Sequence, residues 1–190
     1  MYHPLQMVCG LVKHIKFTVM TVREQQEQSK MEPYAEASRF MKNAEDTLRK
    51  TRKEDGYYLD GKYVSSACGI AYKGVLKAMD AWLVINGKPT PTQRDKTKKH
   101  RDINMYRAEV TKLDGRMLAR LNTVYNILHL AGYYDEEQKA DIIRSGFAGA
   151  YEIIARIKPD VPEEELQQYL AEHTKKKSTL WGQLSSLLSF

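Results

Sequence analysis

"GKYVSSACGIAYKGVLKAMDAWLVING", Gly61 to Gly87, decides the fold of this chain. Val64, Cys68, Ala71, Val75, Ala78, Trp82 and Ile85 recur at helical spacing and form one apolar stripe. Small residues are dense in it: Ser65, Ala67, Gly69, Ala71, Gly74, Ala78 and Ala81. Two glycines inside a helix cost roughly 1 kcal/mol each against alanine. Close approach of a neighbouring helix is the simplest compensation. "NGKPTPT" then ends the helix and makes a loop.

On the N-terminal side, Tyr34, Ala37, Met41, Ala44 and Leu48 keep the same period, and Pro33 suits a first helical position. Basic residues in "RKTRKEDG" complement the carbonyl end of that helix, and Gly56 stops it. On the C-terminal side, Ile103, Tyr106, Val110, Leu113, Met117, Leu121, Val124 and Leu128 predict one long third helix, with Gly115 as an interior residue. Asp135 and Gln138 read as a capping-box-like start for a fourth, carried by Ala140, Ile143, Phe147, Ala150, Ile154 and Ile157. Pro162 opens a fifth, "PEEELQQYLAEHTKKK", with acids first and lysines last. A short amphipathic tail with Leu180, Leu184 and Leu187 on one face follows. No segment alternates with period two. The expected fold is all-α: a four-helix up-and-down bundle with an additional C-terminal helix. The expected organisation is an extension outside the fold at 1–30, the bundle at 31–160, and the helix and tail at 161–190. Met20 and Met31 both precede sensible polar starts.

A chain of 190 residues, 42% hydrophobic and 28% charged, suits one soluble globular domain. Cys9 and Cys68 make no disulfide framework and point to reduced thiols in the cytoplasm. Cys68 lies on the small apolar helix face and reads as a core cysteine. The most apolar window, "MVCGLVKHIKFTVMTV", carries Lys13, His14 and Lys16, which excludes a membrane span, and it lacks the form of a signal peptide. No cofactor is expected.

The net charge of +6 is localised. Lys88 to Arg120 holds ten Lys or Arg against four Asp or Glu, and the remainder is neutral. Such a stripe is either a solvated helix face or the footprint of an anionic partner such as RNA. Lys96, Lys98, Lys99, Arg101 and Arg107 are its candidate nucleic-acid contacts. Five scattered histidines and no Glu-x-x-His give no bundle-type metal site. The tyrosine pairs Tyr57–Tyr58 and Tyr133–Tyr134 sit at helix junctions, to pack there or to stack on bases.

Arg94 and His100 remain as a candidate catalytic pair. A guanidinium stabilises a pentavalent phosphate, and an imidazole moves a proton at a ribose hydroxyl, so RNA could be cut without a metal. Six residues apart on a straight helix, the two side chains point about 120° from one another. They converge only at a kink, with Arg94 still in the loop, or across two chains.

"YAEASRFMKNAEDTLRKT" followed by Gly61, Tyr63, Ala67, Ala71, Leu76, Lys77 and Ala78 resembles the first two helices of HEPN domains. The likeness spans roughly residues 33 to 158. It implies a four- to five-helix bundle that is often a homodimer. Many HEPN proteins are toxin or defence RNases with an Arg, a polar residue and a His; Arg94, Asp95 and His100 match that wording. Others lack the motif and act as protein-binding partners, often of a nucleotidyltransferase. The resemblance therefore implies a dimerising, non-catalytic module that binds a protein partner, to which the basic stripe would add RNA or nucleotide contact, or else a metal-independent RNase of a toxin or defence system that uses Arg94 and His100.

Overall fold

A computed structural model describes residues 21–91 and 102–188, with side chains to 176. The described residues form six α-helices, one π-helix and one two-stranded hairpin, together with turns and loops. We number them α1 (Val22–Leu48), β1 (Lys53–Glu54), β2 (Tyr57–Tyr58), α2 (Gly61–Ile85), α3 (Ile103–Val110), α4 (Gly115–Val124), the π-helix (Tyr125–Tyr134), α5 (Ala140–Ala155) and α6 (Glu163–Leu188). The all-α expectation holds in this coarse form.

Helix α2 is the centre of the bundle. Val64, Cys68, Ala71, Val75, Ala78 and Trp82 are buried as their spacing predicts, whereas Ile85, at the end of the expected stripe, is 44% exposed. They join Ala37, Met41 and Ala44 of α1, Tyr106 and Val110 of α3, Leu121 of α4, and Ile143 and Ala150 of α5 in one core. The two interior glycines are explained by close approach. A Cβ at Gly74 would stand 3.0 Å from the Cβ of Phe40 on α1, and one at Gly69 would stand 2.9 Å from the ring of Tyr133 on the π-helix. The propensity cost is offset by packing that a larger side chain would prevent.

Four expectations need correction. First, α1 begins at Val22, and Pro33 lies inside it. Residues 22–30 are thus helical, not an extension outside the fold; residues 1–20 lie outside the described residues. A capping box starts the helix: Thr21 Oγ1 accepts from the Glu24 N–H at 3.2 Å, and Glu24 Oε2 accepts from the Thr21 N–H at 2.6 Å. The Asp160 N–H donates to Glu27 Oε2 at 2.7 Å, and Met31 is 2% exposed. These contacts outweigh the single backbone bond that Pro33 removes.

Second, the third helix is not continuous. Asp114 is extended, and its Oδ1 accepts from the N–H groups of Arg116 and Met117 at 2.8 and 3.0 Å. Gly115 is therefore a first helical residue, and Leu113 is 37% exposed in the break. Third, Asp135 ends the π-helix instead of capping α5. Helix α5 starts after Lys139, which forms a bridge to Tyr57, while the Ala140 N–H donates to the Gly56 carbonyl at 2.8 Å. Gly56 itself sits with Asp55 at the tip of the β1–β2 hairpin, both at positive φ, seven residues beyond the end of α1's cap. Fourth, the expected separate tail is the continuation of α6, whose backbone runs unbroken to Leu188.

No helix among the described residues is long and apolar enough to cross a membrane.

Candidate functional site

A cleft of about 1020 Å³ opens beside α2. Helix α2 supplies one wall with Ser66, Gly69, Ile70, Lys73 and Lys77, a single stripe at helical spacing. The opposite wall is the π-helix, through Tyr125, His129, Tyr133 and Tyr134. Phe40 of α1 closes one side, and Asp102 and Ile103 at the start of α3 form another. Asp102 Oδ1 is engaged there as an N-cap, accepting from the Asn104 N–H at 2.9 Å.

The aromatic groups form one connected set. Tyr72 and His129 stack at 4.6 Å between centroids, 24° from parallel. His129 lies nearly parallel to Tyr133 at 6.1 Å and 8°. Tyr125 is tilted against His129 at 5.1 Å, and Tyr134 meets both His129 and Tyr133 edge-on. Tyr72 is buried, so it is the floor; Tyr133 and Tyr134 are 44% and 64% exposed and are the open surface. Tyr133 is held in place: its carbonyl accepts from Ser65 Oγ at 2.9 Å, and its ring lies against Gly69. A run of i→i+5 turns that opens a side-chain array is a frequent feature of functional sites.

Burial lowers the His129 pKa below its ordinary value, so the ring is neutral at neutral pH. Burial raises the Tyr72 hydroxyl, with the neighbouring Tyr125 as a smaller cause. Cys68, beneath Gly132, is fully buried and free, and burial pushes its thiol up to about 12. It is a core cysteine, as its helix face indicates. Lys73 and Lys77 place two positive charges on one wall of the cleft; neither has an ion-pair partner within 4 Å among the described residues, and Lys77 also borders a smaller cleft with Glu32, Glu36 and Asp80.

Of the residues singled out in the sequence, Tyr133 and Tyr134 line the cleft, and Arg107 reaches it through contact with Tyr125. Its guanidinium sits 4.9 Å from the centre of the Tyr125 ring, and its Nε donates to Asn122 Oδ1 at 2.7 Å. Arg94, Lys96, Lys98, Lys99, His100 and Arg101 lie outside the described residues. The basic run ends, in sequence, one residue before Asp102 on the cleft rim. His129 and Tyr72 were not picked out from sequence. Tyr125, His129 and Tyr133 at spacings of four were the available signal. Among the described residues no group of three His, Cys, Asp or Glu is placed to hold a metal ion.

A model for a domain of unknown function, DUF5618, matches residues 32–159. The chain belongs to this family. Every residue lining the cleft falls inside the DUF5618 region. A solved protein of unknown function from Dyadobacter fermentans is 35% identical to the DUF5618 chain, over 68% of this chain and 95% of that one, with a TM-score of 0.57. No curated protein matches.

Proposed function

We propose that the protein is a non-catalytic, HEPN-like binding module that contacts RNA or nucleotide. The cleft carries this reading. The described lining offers tyrosine faces and lysine charge, and among the described lining residues the one imidazole, His129, is packed into the aromatic set instead of facing a nucleophile or a carboxylate. Such surfaces bind; they do not by themselves move protons or break bonds. The basic stripe that includes Arg107 adds attraction for a polyanion.

In this reading the module dimerises or docks on a protein partner, a nucleotidyltransferase being the kind that the HEPN resemblance implies, and works in the cytoplasm. Light scattering at micromolar concentration tests the dimer, and a monomer removes it. The deciding experiment is incubation of purified protein with total RNA in EDTA, beside His100→Ala, with retention of the RNA measured in parallel. Retention without cleavage is expected. Cleavage by the wild type alone would instead make Arg94 and His100 an RNase pair.

A further inference from the structure

We propose that the α2–π-helix cleft holds one nucleotide unit, with its base against Tyr133 and Tyr134 and its phosphate at Lys73 and Lys77. This names the ligand of the binding module and rests on that reading.

Three observations converge on it. The first is the state of the aromatic surface. Tyr133 and Tyr134 stay open to solvent although the rest of the set is packed beneath them. Ser65 and Gly69 hold Tyr133, and Tyr134 meets both Tyr133 and His129 edge-on, so the platform is one ring face with a second ring standing at its edge. Bases stack on such platforms whatever their identity, because every base has a π-face.

The second is charge. Lys73 and Lys77 lie one helical turn apart on the wall facing the platform. They repel a cationic guest and so exclude the aromatic-cage use of tyrosines, which takes ammonium groups. An anion attached to a flat ring satisfies both walls. Among the described lining residues Asp102 is the one carboxylate; it sits on the rim with its Oδ1 turned to the start of α3, so two lysines face one acid.

The third is size. A cleft of about 1020 Å³ is at the upper end of the range for small-molecule sites, roughly 300–1,000 Å³, and takes a whole nucleotide with room for the strand to continue.

The test is calorimetric titration of the full chain with AMP, a short oligoadenylate, adenosine and inorganic phosphate. AMP or the oligoadenylate is expected to bind, with adenosine and inorganic phosphate each weaker by about tenfold or more. Binding of AMP marks a free-nucleotide site; binding of the oligoadenylate alone marks a strand site; both outcomes uphold the proposal. Tyr134→Ala, at the exposed platform edge, is expected to lose about tenfold in affinity. Lys73→Gln with Lys77→Gln is expected to weaken the phosphate-bearing ligands, flatten their salt dependence and leave adenosine unchanged. Inorganic phosphate binding as tightly as AMP, or indifference of folded Tyr134→Ala and lysine variants, overturns the proposal. RNA retention that persists unchanged in those variants would sink the cleft assignment and leave the binding module standing. A wild type that retains no RNA and binds no nucleotide ends both.

Discussion

Tyr72 on α2 and His129 on the π-helix stack with ring centroids 4.6 Å apart and planes 24° from parallel. The stack ties the central helix to the wall of the cleft. It also buries an imidazole whose pKa is lowered by that burial. The folded state then favours neutral His129, and the unfolded chain binds more protons near the ordinary value of 6.5. Its stabilising contribution is complete above that value and is lost as pH falls through the lower folded value. We expect the melting temperature to fall between pH about 7.5 and about 5.5. His129→Phe keeps a ring in the stack and should show a shallower fall. Equal slopes for the two proteins, by circular dichroism, would remove this role.

Gly132 faces Cys68 across the same helix pair. An added Cβ would stand 2.5 Å from the Cys68 Sγ and 2.9 Å from its Cβ, with the Ile127 carbonyl oxygen at 3.1 Å. Gly132→Ala should cost about 1–3 kcal/mol in urea denaturation. Cys68→Ala removes the nearest atom, so the double variant should be more stable than the sum of the single losses predicts. Strict additivity would show that the π-helix moves away freely.

How much of this was legible follows from particular residues. Apolar spacing located most of the core stripes, because burial of one helical face is a period the sequence must carry, but it included the exposed Ile85 and Leu113 and missed the buried Met31 and Leu166. It could not locate the break at Asp114, since Val110 and Met117 stay in phase across it and only the cap chemistry differs. "EDGYY" held a hairpin signal in Asp55–Gly56 that a helix-stop reading of Gly56 hid. The cleft was half visible. Tyr133 and Tyr134 stood out as a pair, but their partners Tyr72 and His129 lie 57 positions apart in sequence, and only the bundle brings them together.

Asp114 makes the break between α3 and α4 testable. Its carboxylate accepts two backbone N–H groups, and the bond from Met117 is the main reason that its pKa is lowered. Asp114→Ala should cost about 1 kcal/mol, and Asp114→Asn much less, because the amide oxygen still caps. The charge-linked part is present above the ordinary value of 3.8 and is lost as pH falls through the lower folded value. The two variants should therefore differ from each other at neutral pH. Equal losses would mean that the charge, and not the cap, holds the turn.

The start of α1 separates two versions of the chain. One beginning at Met20 keeps the Thr21–Glu24 capping box and the Asp160-to-Glu27 hydrogen bond; one beginning at Met31 loses both. The lower pKa of Glu27, caused first by the Asp160 N–H, marks the same contact. The shorter version should melt several degrees lower, as expected for the loss of a helix cap and a docked turn. Identical melting curves would show that residues 22–30 add nothing to the bundle.

Helix α6 begins beyond the DUF5618 region, yet it is packed on the bundle through Leu166, which is 1% exposed. Tyr169 adds a hydroxyl donated to Glu32 Oε2 at 3.1 Å, and His173 Nε2 lies 3.0 Å from the same oxygen. Tyr169 and His173 stack at 6.2 Å. One apolar anchor and two α1-facing groups at spacings of three and four describe a helix docked along α1. Leu166→Ala should then cost about 2–5 kcal/mol, the usual range for a fully buried leucine. Tyr169→Phe deletes one exposed hydrogen bond and should cost about 0.5–1.5 kcal/mol. Hydrogen exchange reads the outcome locally. Loss of protection along Glu163–Lys176 in Leu166→Ala, with α2 still protected, is expected for a helix docked by that side chain. Unchanged protection there would mean that α6 is held by something other than Leu166.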